Sequence, residues 1–544
     1  MKYTNPHAAL KTGQKRQTKP NQTPNNEGGY VFKLDSWKRL ERFLILGSDA
    51  PTYYQDAKQL TVENGKAILE CVALDAPRTA RTIREISYGG RGFNNDAPLF
   101  ALAMMIRSGG AGRRAAYSEF NNIVRTGSHM LALMNALKFL GNGWPRSLRS
   151  AVAGWYNGQD ADRMAYQTIK YQSRFEWKQR DVLRMAHVKP TDAQHAALYK
   201  YIVKGESTED APNLVGVYER IKKATSLNEV IRLIADHNLT WEFVPGQWLG
   251  YPEVWAALLP NLPLGAMIRN LGQMTASGLL APLSDGTNTV LKKLSNLDAL
   301  KKARIHPLGV LNAMRVYGSG GGIFSNKKWQ TVPQITDMLE MAFYSSFEYV
   351  EPTGKRILWA QDVSGSMSTN TAGKLALSCC EAGTAMAMAF LRSEKTVKLT
   401  AFNEGIRELH IKRDMKLSDA LRYTKNINYG GTDCAMPMIW AKDNRVAVDT
   451  FVVCTDNETH SGHTHVYQAL EAYRQKTGIP AKLVVMGMTA TPFTIANPDD
   501  GGMLDIVGMD TQVPALISSF ARHDLGVALA TLPQLPAPEE EVEA

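Results

Sequence analysis

The run Arg356-Ile-Leu-Trp-Ala-Gln-Asp362-Val-Ser364-Gly-Ser366-Met-Ser368 decides how this chain is read. Its apolar stretch, Ile357 to Ala360, predicts a short buried parallel strand. The strand ends in one carboxylate and two hydroxyls at alternate positions, Asp362, Ser364 and Ser366, followed by a turn of small residues. Oxygens at that spacing can wrap onto one point just past a strand's C-terminal end, where open α/β sheets bind ligands. Hard oxygen donors without thiolate or imidazole suit Mg²⁺, which keeps several waters and takes few carboxylates.

By itself Asp-x-Ser-x-Ser also describes an ordinary polar turn. Two later segments give it company. Thr432 sits in Tyr429-Gly-Gly-Thr-Asp433, a glycine-permitted loop presenting a hydroxyl, and Asp456 ends the apolar strand Thr450-Phe-Val-Val-Cys-Thr-Asp. Asp362, Ser364, Ser366, Thr432 and Asp456 resemble the metal-ion-dependent adhesion site of von Willebrand factor A domains. The resemblance implies a divalent cation, Mg²⁺, held by these five residues. Around them, strands are expected at 397–402 and 483–486, and helices at 373–392, 417–424, 466–475 and 514–521. That alternation predicts an α/β doubly wound parallel sheet over residues 351–535. His460, His463 and His465 follow the metal aspartate, and are read as a polar loop near the Mg²⁺ site in preference to a second metal.

At 544 residues the chain exceeds one core and should hold two or three domains. With 44% hydrophobic and 21% charged residues it has the composition of a globular protein. No apolar run is long enough to span a bilayer, and the polar N-terminus lacks a signal-peptide core, so no membrane partner is expected. Five cysteines without a C-x-x-C pattern argue for free thiols and a cytoplasmic location. The net charge of +10 is uneven: residues 351–544 hold 18 Lys+Arg against 23 Asp+Glu, leaving 44 against 29, or +15, on residues 1–350. A basic large domain beside a mildly acidic small one points to a polyanion partner for the first, although a merely solvated cationic surface has the same composition.

Residues 1–28, with Lys2, Lys11, Lys15, Arg16 and Lys19 among Asn, Gln, Thr and Pro, read as a disordered basic arm. From Tyr30 to Tyr349 the signal is helix after helix. Ser36 is placed as a cap for a segment whose Trp37, Leu40 and Leu44 share a face and which Gly47 ends. Ser226-Leu-Asn-Glu229 reads as a capping box. Further helices are expected near 61–74, 97–107, 128–140, 145–156, 195–204, 263–272 and 335–347. Some 300 residues of paired amphipathic helices predict an α-solenoid of the HEAT or armadillo kind, with an irregular helical bundle as the alternative. Gly318-Ser-Gly-Gly-Gly322 has neither a preceding strand nor a following Lys-Ser/Thr and is read as a loop, not a phosphate cradle. Glu539 to Glu541 with Glu543 mark an acidic tail over 536–544.

Several stretches are specific. Gly28-Gly-Tyr-Val-Phe, Arg39-Leu-Glu-Arg-Phe-Leu-Ile-Leu-Gly47, Pro98-Leu-Phe-Ala-Leu-Ala103 and Arg149-Ser-Ala-Val-Ala-Gly-Trp-Tyr-Asn157 resemble the TROVE module of the Ro autoantigen family, in particular its bacterial or phage members. So do Leu183-Arg-Met-Ala-His-Val-Lys-Pro190, Met267-Ile-Arg-Asn-Leu-Gly-Gln-Met-Thr275 and Ala303-Arg-Ile-His-Pro307. The resemblance implies HEAT-like helical repeats over 29–350 closed into a ring, with the A domain bringing its ends together. It further implies a basic central hole for single-stranded 3′ ends of misfolded RNA, and an outer face for small noncoding Y-type RNA. Within Ile169 to His187 the family pattern matches Lys170, Arg174 and His187 as Y RNA contacts. Lys170 and Arg174, four apart, are expected on one helical face, where they can meet phosphates together. His187 can donate to phosphate or stack on a base; a local cap is its structural alternative. Lys222, Lys223, Arg269, Lys301, Lys302 and Arg304 are basic candidates for lining the hole, with an ordinary solvated charge as the favoured alternative for each.

The leading functional expectation is a non-catalytic, monomeric RNA-binding ring working with an exoribonuclease in RNA quality control. A second class is a Mg²⁺-dependent protein-interaction scaffold, in which a partner's carboxylate completes the metal shell. Catalysis is disfavoured: no Walker A, H-E-x-x-H or G-x-S-x-G occurs, and Ser364 and Ser366 lack a neighbouring base, so they read as ligands and not nucleophiles.

Overall fold

The computed structural model describes residues 3–4, 13–47, 57–141, 143–303, 305–322, 326–347, 351–368, 377–427, 430–510 and 512–523. Arg304, the start of the expected 373–392 helix, Tyr429 and the acidic tail lie outside them. The fold is a HEAT-like helical array followed by an α/β domain, with twenty-three α-helical segments, one of them kinked, among the described residues.

The first helix, Ser36–Leu46, shows how local sequence sets the elements. Its cap is Asp35, one residue earlier than expected, whose side chain accepts from the Lys38 amide at 2.8 Å. Gly47, at φ 72°, closes it, and Leu40, Phe43 and Leu44 point into the core. The next element, Ala57–Tyr88, is two helices joined at a kink: Asp75 leaves helical geometry and its carboxylate accepts from the Arg78 amide, capping the second half. Pro77 fits there because a first-turn residue needs no amide donor. Helices Asp96–Ser108, Gly127–Leu140, Arg146–Asn157, Ala193–Lys204, Leu264–Ala276 and Pro333–Ser345 follow close to their expected places. Ser226 does accept from the Glu229 amide, but Glu229 reaches the Thr225 amide, so only half the capping box forms.

The α/β domain carries its sheet in the order Tyr3–Thr4, Gly405–Glu408, Thr396–Phe402, Arg356–Asp362, Thr450–Thr455, Lys482–Gly487, Met503–Val507. The last five are parallel; the first two run antiparallel at one edge. The sheet is therefore doubly wound but mixed. After Arg356–Asp362 the chain builds outward on one side, then returns to build outward on the other. The switch point thus lies between the C-terminal ends of Arg356–Asp362 and Thr450–Thr455.

The helical array closes into a ring through this domain. On the first side, the buried Arg42 guanidinium meets Asp505 at 2.5 Å. On the last, Arg315 pairs with Glu381 at 2.9 Å, and Glu340 accepts from the Leu417 amide at 2.9 Å and pairs with Arg392 at 3.3 Å. The two ends of the array also touch directly. The His306 ring lies 3.3 Å from the Arg91 carbonyl and packs edge-on against Phe93.

Residues 13–28 correct the expectation of a disordered arm. They lie on the α/β domain, with Gln22–Pro24 pairing Tyr30–Lys33, which in turn pairs Phe493–Thr494. Gln14 is completely buried, and its amide uses both ends: it donates to Asp433 (2.8 Å) and the Thr464 carbonyl (2.9 Å), and accepts from Thr459 (2.8 Å) and the Gly462 amide (3.3 Å). Polar residues can hold a segment in place when every group finds a partner, and a composition-based reading misses this.

Candidate metal centre and nucleic-acid interface

Asp362 is the last residue of the central strand, in register with Phe402 on one neighbour, while Gln361 pairs with Cys454 on the other. Its carboxylate accepts from Thr455 Oγ1 at 2.6 Å and from the Ser364 amide at 2.9 Å. The chain then turns through Gly365–Ser368, setting the Ser364 and Ser366 hydroxyls 3.2 Å apart. Ser366 also hydrogen-bonds Asp456, which directly follows the adjacent strand. Four of the five expected ligands are thus joined by side-chain and backbone hydrogen bonds at the switch point, each at most 3% exposed.

Thr432 arrives by a different route. It is buried, and its carbonyl accepts from the His460 and Ser461 amides, both at 3.0 Å, which ties its loop to the segment after Asp456. Gly431 permits this approach: a Cβ there would lie 2.4 Å from Ser461 Oγ and 2.6 Å from a Glu404 carboxylate oxygen.

The electrostatics fit a cation. Burial, then the neighbouring Asp456, pushes Asp362 well above the usual carboxylate range, and burial raises Asp456 in turn. Two facing buried carboxylates cannot both ionise cheaply without a compensating positive charge. A donor set of two carboxylates and three hydroxyls is the hard oxygen chemistry that Mg²⁺ takes.

The surroundings hold residues that sequence reasoning passed over. Glu458 is pushed up to about 8 by burial and by Asp456; the Asn26 amide donates to it at 3.0 Å, and the Asn26 side chain does so more closely. Gly29 lets the arm lie against this segment, since a Cβ would come 1.8 Å from the Thr459 carbonyl. No spacing signal marks Gln14 or Asn26 in a polar stretch. His465 caps helix Val466–Thr477, and its Nε2 lies 2.9 Å from the Arg16 carbonyl. Among the described residues there is no group of three or more His, Cys, Asp or Glu that could hold a metal ion, so a cation here would depend on hydroxyl ligands beside the two aspartates.

On the helical array the second expected site looks different from its prediction. Lys170 ends helix Ala161–Lys170; its ammonium donates to Tyr166 OH at 3.0 Å and lies over the Tyr166 and Tyr171 rings. Arg174 is not on that helix. It belongs to a two-stranded hairpin, Ser173–Arg174 with Trp177–Lys178, and its guanidinium bonds Ser128 Oγ and Asp96, both at 2.8 Å. A shared helical face is therefore excluded, because the helix stops before Arg174. His187 is exposed and ends helix Gln179–Ala186 in the left-handed conformation, φ 51°. Of the cations named for the hole, Lys222 pairs with Glu219 and lies 4.7 Å from the Tyr218 ring centre.

Comparison with known proteins decides the family. A model of the TROVE domain matches residues 23–320, and one of the Ro60 von Willebrand factor A domain matches residues 356–521. The chain belongs to the Ro60 family. It is 38% identical over 514 residues to the RNA-binding protein RO60 of Deinococcus radiodurans, covering 93% of this chain and 96% of that one. To the RNA-binding protein RO60 of Caenorhabditis elegans it is 31% identical, covering 93% and 91%. The crystal structure of the Deinococcus radiodurans Ro protein superposes with a TM-score of 0.68 at 36% identity, over 90% of this chain and 99% of that one. The Ro60-family assignment thus spans both the helical ring and the A domain.

Proposed function

We propose that this Ro60-family chain is a non-catalytic RNA-binding ring. The observation that carries the reading is its similarity, over 93% of its length, to two relatives named as RNA-binding proteins. The charge distribution agrees: residues 170–189 of the ring hold six Lys or Arg against two Asp or Glu. On this reading the outer face takes a small structured noncoding RNA of the Y type through the segment bearing Lys170, Arg174 and His187. The central hole takes single-stranded 3′ ends of misfolded RNA, and the protein acts beside an exoribonuclease. Cationic groups then hold the RNA backbone irrespective of sequence. The five cysteines are free and buried, which fits work in a reducing cytoplasm.

Asp362, Ser364, Ser366, Thr432 and Asp456 would hold Mg²⁺, whose chemistry there is to neutralise the buried carboxylates and to offer an open position to an oxygen ligand. A metal-dependent protein partner is the second reading, favoured by the hard-donor cluster at the sheet's switch point. Crosslinking and sequencing of RNA bound in native cells tests the first. One abundant structured RNA should be recovered with the wild type and lost with Lys170→Ala/Arg174→Ala/His187→Ala, while 3′-ended fragments persist. Recovery of no specific RNA by the wild type would refute it.

A further inference from the structure

The hairpin between helices Ala161–Lys170 and Gln179–Ala186 is built at an unusual cost. Its two turn residues are Phe175 and Glu176, at φ 51° and 65°. A two-residue turn with both φ positive is the type that asks for Asn-Gly, because a large side chain in the left-handed region is strained. Phe175 is also 46% exposed. A chain needing only the reversal would meet neither cost with Asn-Gly, and strain of this kind collects where a side chain must be held in a particular place.

The base of the hairpin is firm. Trp177 packs near Trp144, with ring centres 6.4 Å apart. Buried Gln179, directly after the hairpin, accepts from Tyr156 OH at 2.5 Å and donates to the Tyr171 and Gly127 carbonyls. Arg174 is anchored to Ser128 and Asp96, from two other helices, and its guanidinium carbon lies 4.8 Å from the centre of the Phe175 ring. An anchored cation thus lies against the ring, which remains half exposed in a segment, residues 170–189, that holds six Lys or Arg against two Asp or Glu.

We propose that Phe175 is a stacking platform for an unpaired RNA base, with Arg174 as the positioning residue that fixes the ring from behind. The inference rests on the RNA-binding reading and deepens it by naming the part of the RNA this face recognises. Aromatic rings beside cationic groups are how single-stranded bases are held without sequence-specific hydrogen bonds. A protein ligand would use the same ring as an apolar contact, but the basic composition of residues 170–189 favours a polyanion.

The test uses the full-length protein and two labelled RNAs without a 3′ overhang: a blunt hairpin with an unpaired adenine loop, and a blunt duplex of the same stem. Phe175→Leu keeps apolar bulk and removes the stacking face; it should weaken looped-hairpin binding about 5- to 100-fold and leave duplex binding unchanged. The salt dependence should not change, whereas Lys170→Ala should lower its slope by about one. Phe175→Trp should bind like the wild type. Arg174→Lys keeps the charge but loses the planar fork that bonds Ser128 and Asp96, so it should weaken loop binding and lose nothing further when combined with Phe175→Leu. If Phe175→Leu binds the loop like the wild type while Lys170→Ala weakens both RNAs, the stacking inference is overturned and the RNA face stands. If neither change matters, the RNA face itself is overturned. Equal loss in Phe175→Leu and Phe175→Trp would reduce Phe175 to a structural or apolar role. A further loss in the Arg174→Lys/Phe175→Leu double variant would show Arg174 acting on RNA apart from the Phe175 ring and overturn its positioning role.

Discussion

Arg42 is the single side chain whose removal should most disturb the junction between ring and A domain. Its side chain and that of Asp505 are only 2% and 5% exposed, and they meet at 2.5 Å. The guanidinium also reaches the Thr489 and Thr491 carbonyls at 3.4 and 3.5 Å. Truncating one member of a buried pair leaves the other charge unpaired, which costs about 3–5 kcal/mol. Asp505 retains one donor, Thr494 Oγ1 at 2.6 Å, so Arg42→Ala should fall at the lower end, about 3 kcal/mol. The double change Arg42→Met/Asp505→Leu removes both charges and should recover most of that loss, because an apolar pair of similar bulk is often neutral. Urea unfolding followed by tryptophan fluorescence reads both values, and hydrogen exchange should show the loosening at Met503–Val507 first. A single-variant loss below about 1 kcal/mol, the size of an exposed pair, would refute the reasoning. So would a double variant less stable than the single.

Three further outcomes follow from the site. In the metal-free protein, Asp362 and Asp456 keep protons that the unfolded chain releases, so stability should fall as pH rises from the usual carboxylate range through their raised values. Mg²⁺ stabilisation should grow over that same window; thermal melts at fixed Mg²⁺ and several pH values check this, and a pH-independent increment would contradict it. Asp362→Asn should make the metal-free protein more stable at pH 8 and abolish its response to Mg²⁺, with melting temperature as the readout. Gln14→Ala, which strips four hydrogen bonds from a fully buried site, should speed amide exchange across residues 459–465; unchanged exchange would show that the arm does not hold that loop.

The reach of the sequence differs between the two halves. Strands with unbroken apolar runs, such as Thr450–Thr455, are legible because burial on both faces demands them. So are helices bounded by a cap and a glycine, such as Ser36–Leu46. Met503–Val507 and Gly405–Glu408 lack a clear signal: the first carries an aspartate that pairs with Arg42 from the ring, and the second is an antiparallel edge. The meeting of Asp362, Ser364, Ser366 and Asp456 could be read because their backbone positions follow from strand ends. The arm could not, since the Gln14 side chain gains its partners from loops more than four hundred residues away. Arg174 shows a related limit: four-residue spacing implies a shared face only while the helix lasts, and here it ends at Lys170. The hairpin that follows has strained, non-glycine turn residues that the usual turn signals would not mark.

Residues 170–189 of the ring, with six Lys or Arg, are proposed to bind RNA. Equilibrium binding of a labelled structured RNA, with blunt ends and titrated with salt, tests this most directly on purified wild-type protein and Lys170→Ala/Arg174→Ala/His187→Ala. The wild type should bind tightly and weaken steeply with salt, and the variant should show a marked loss of both affinity and salt slope. Equal affinity and equal slope for the two proteins would contradict it.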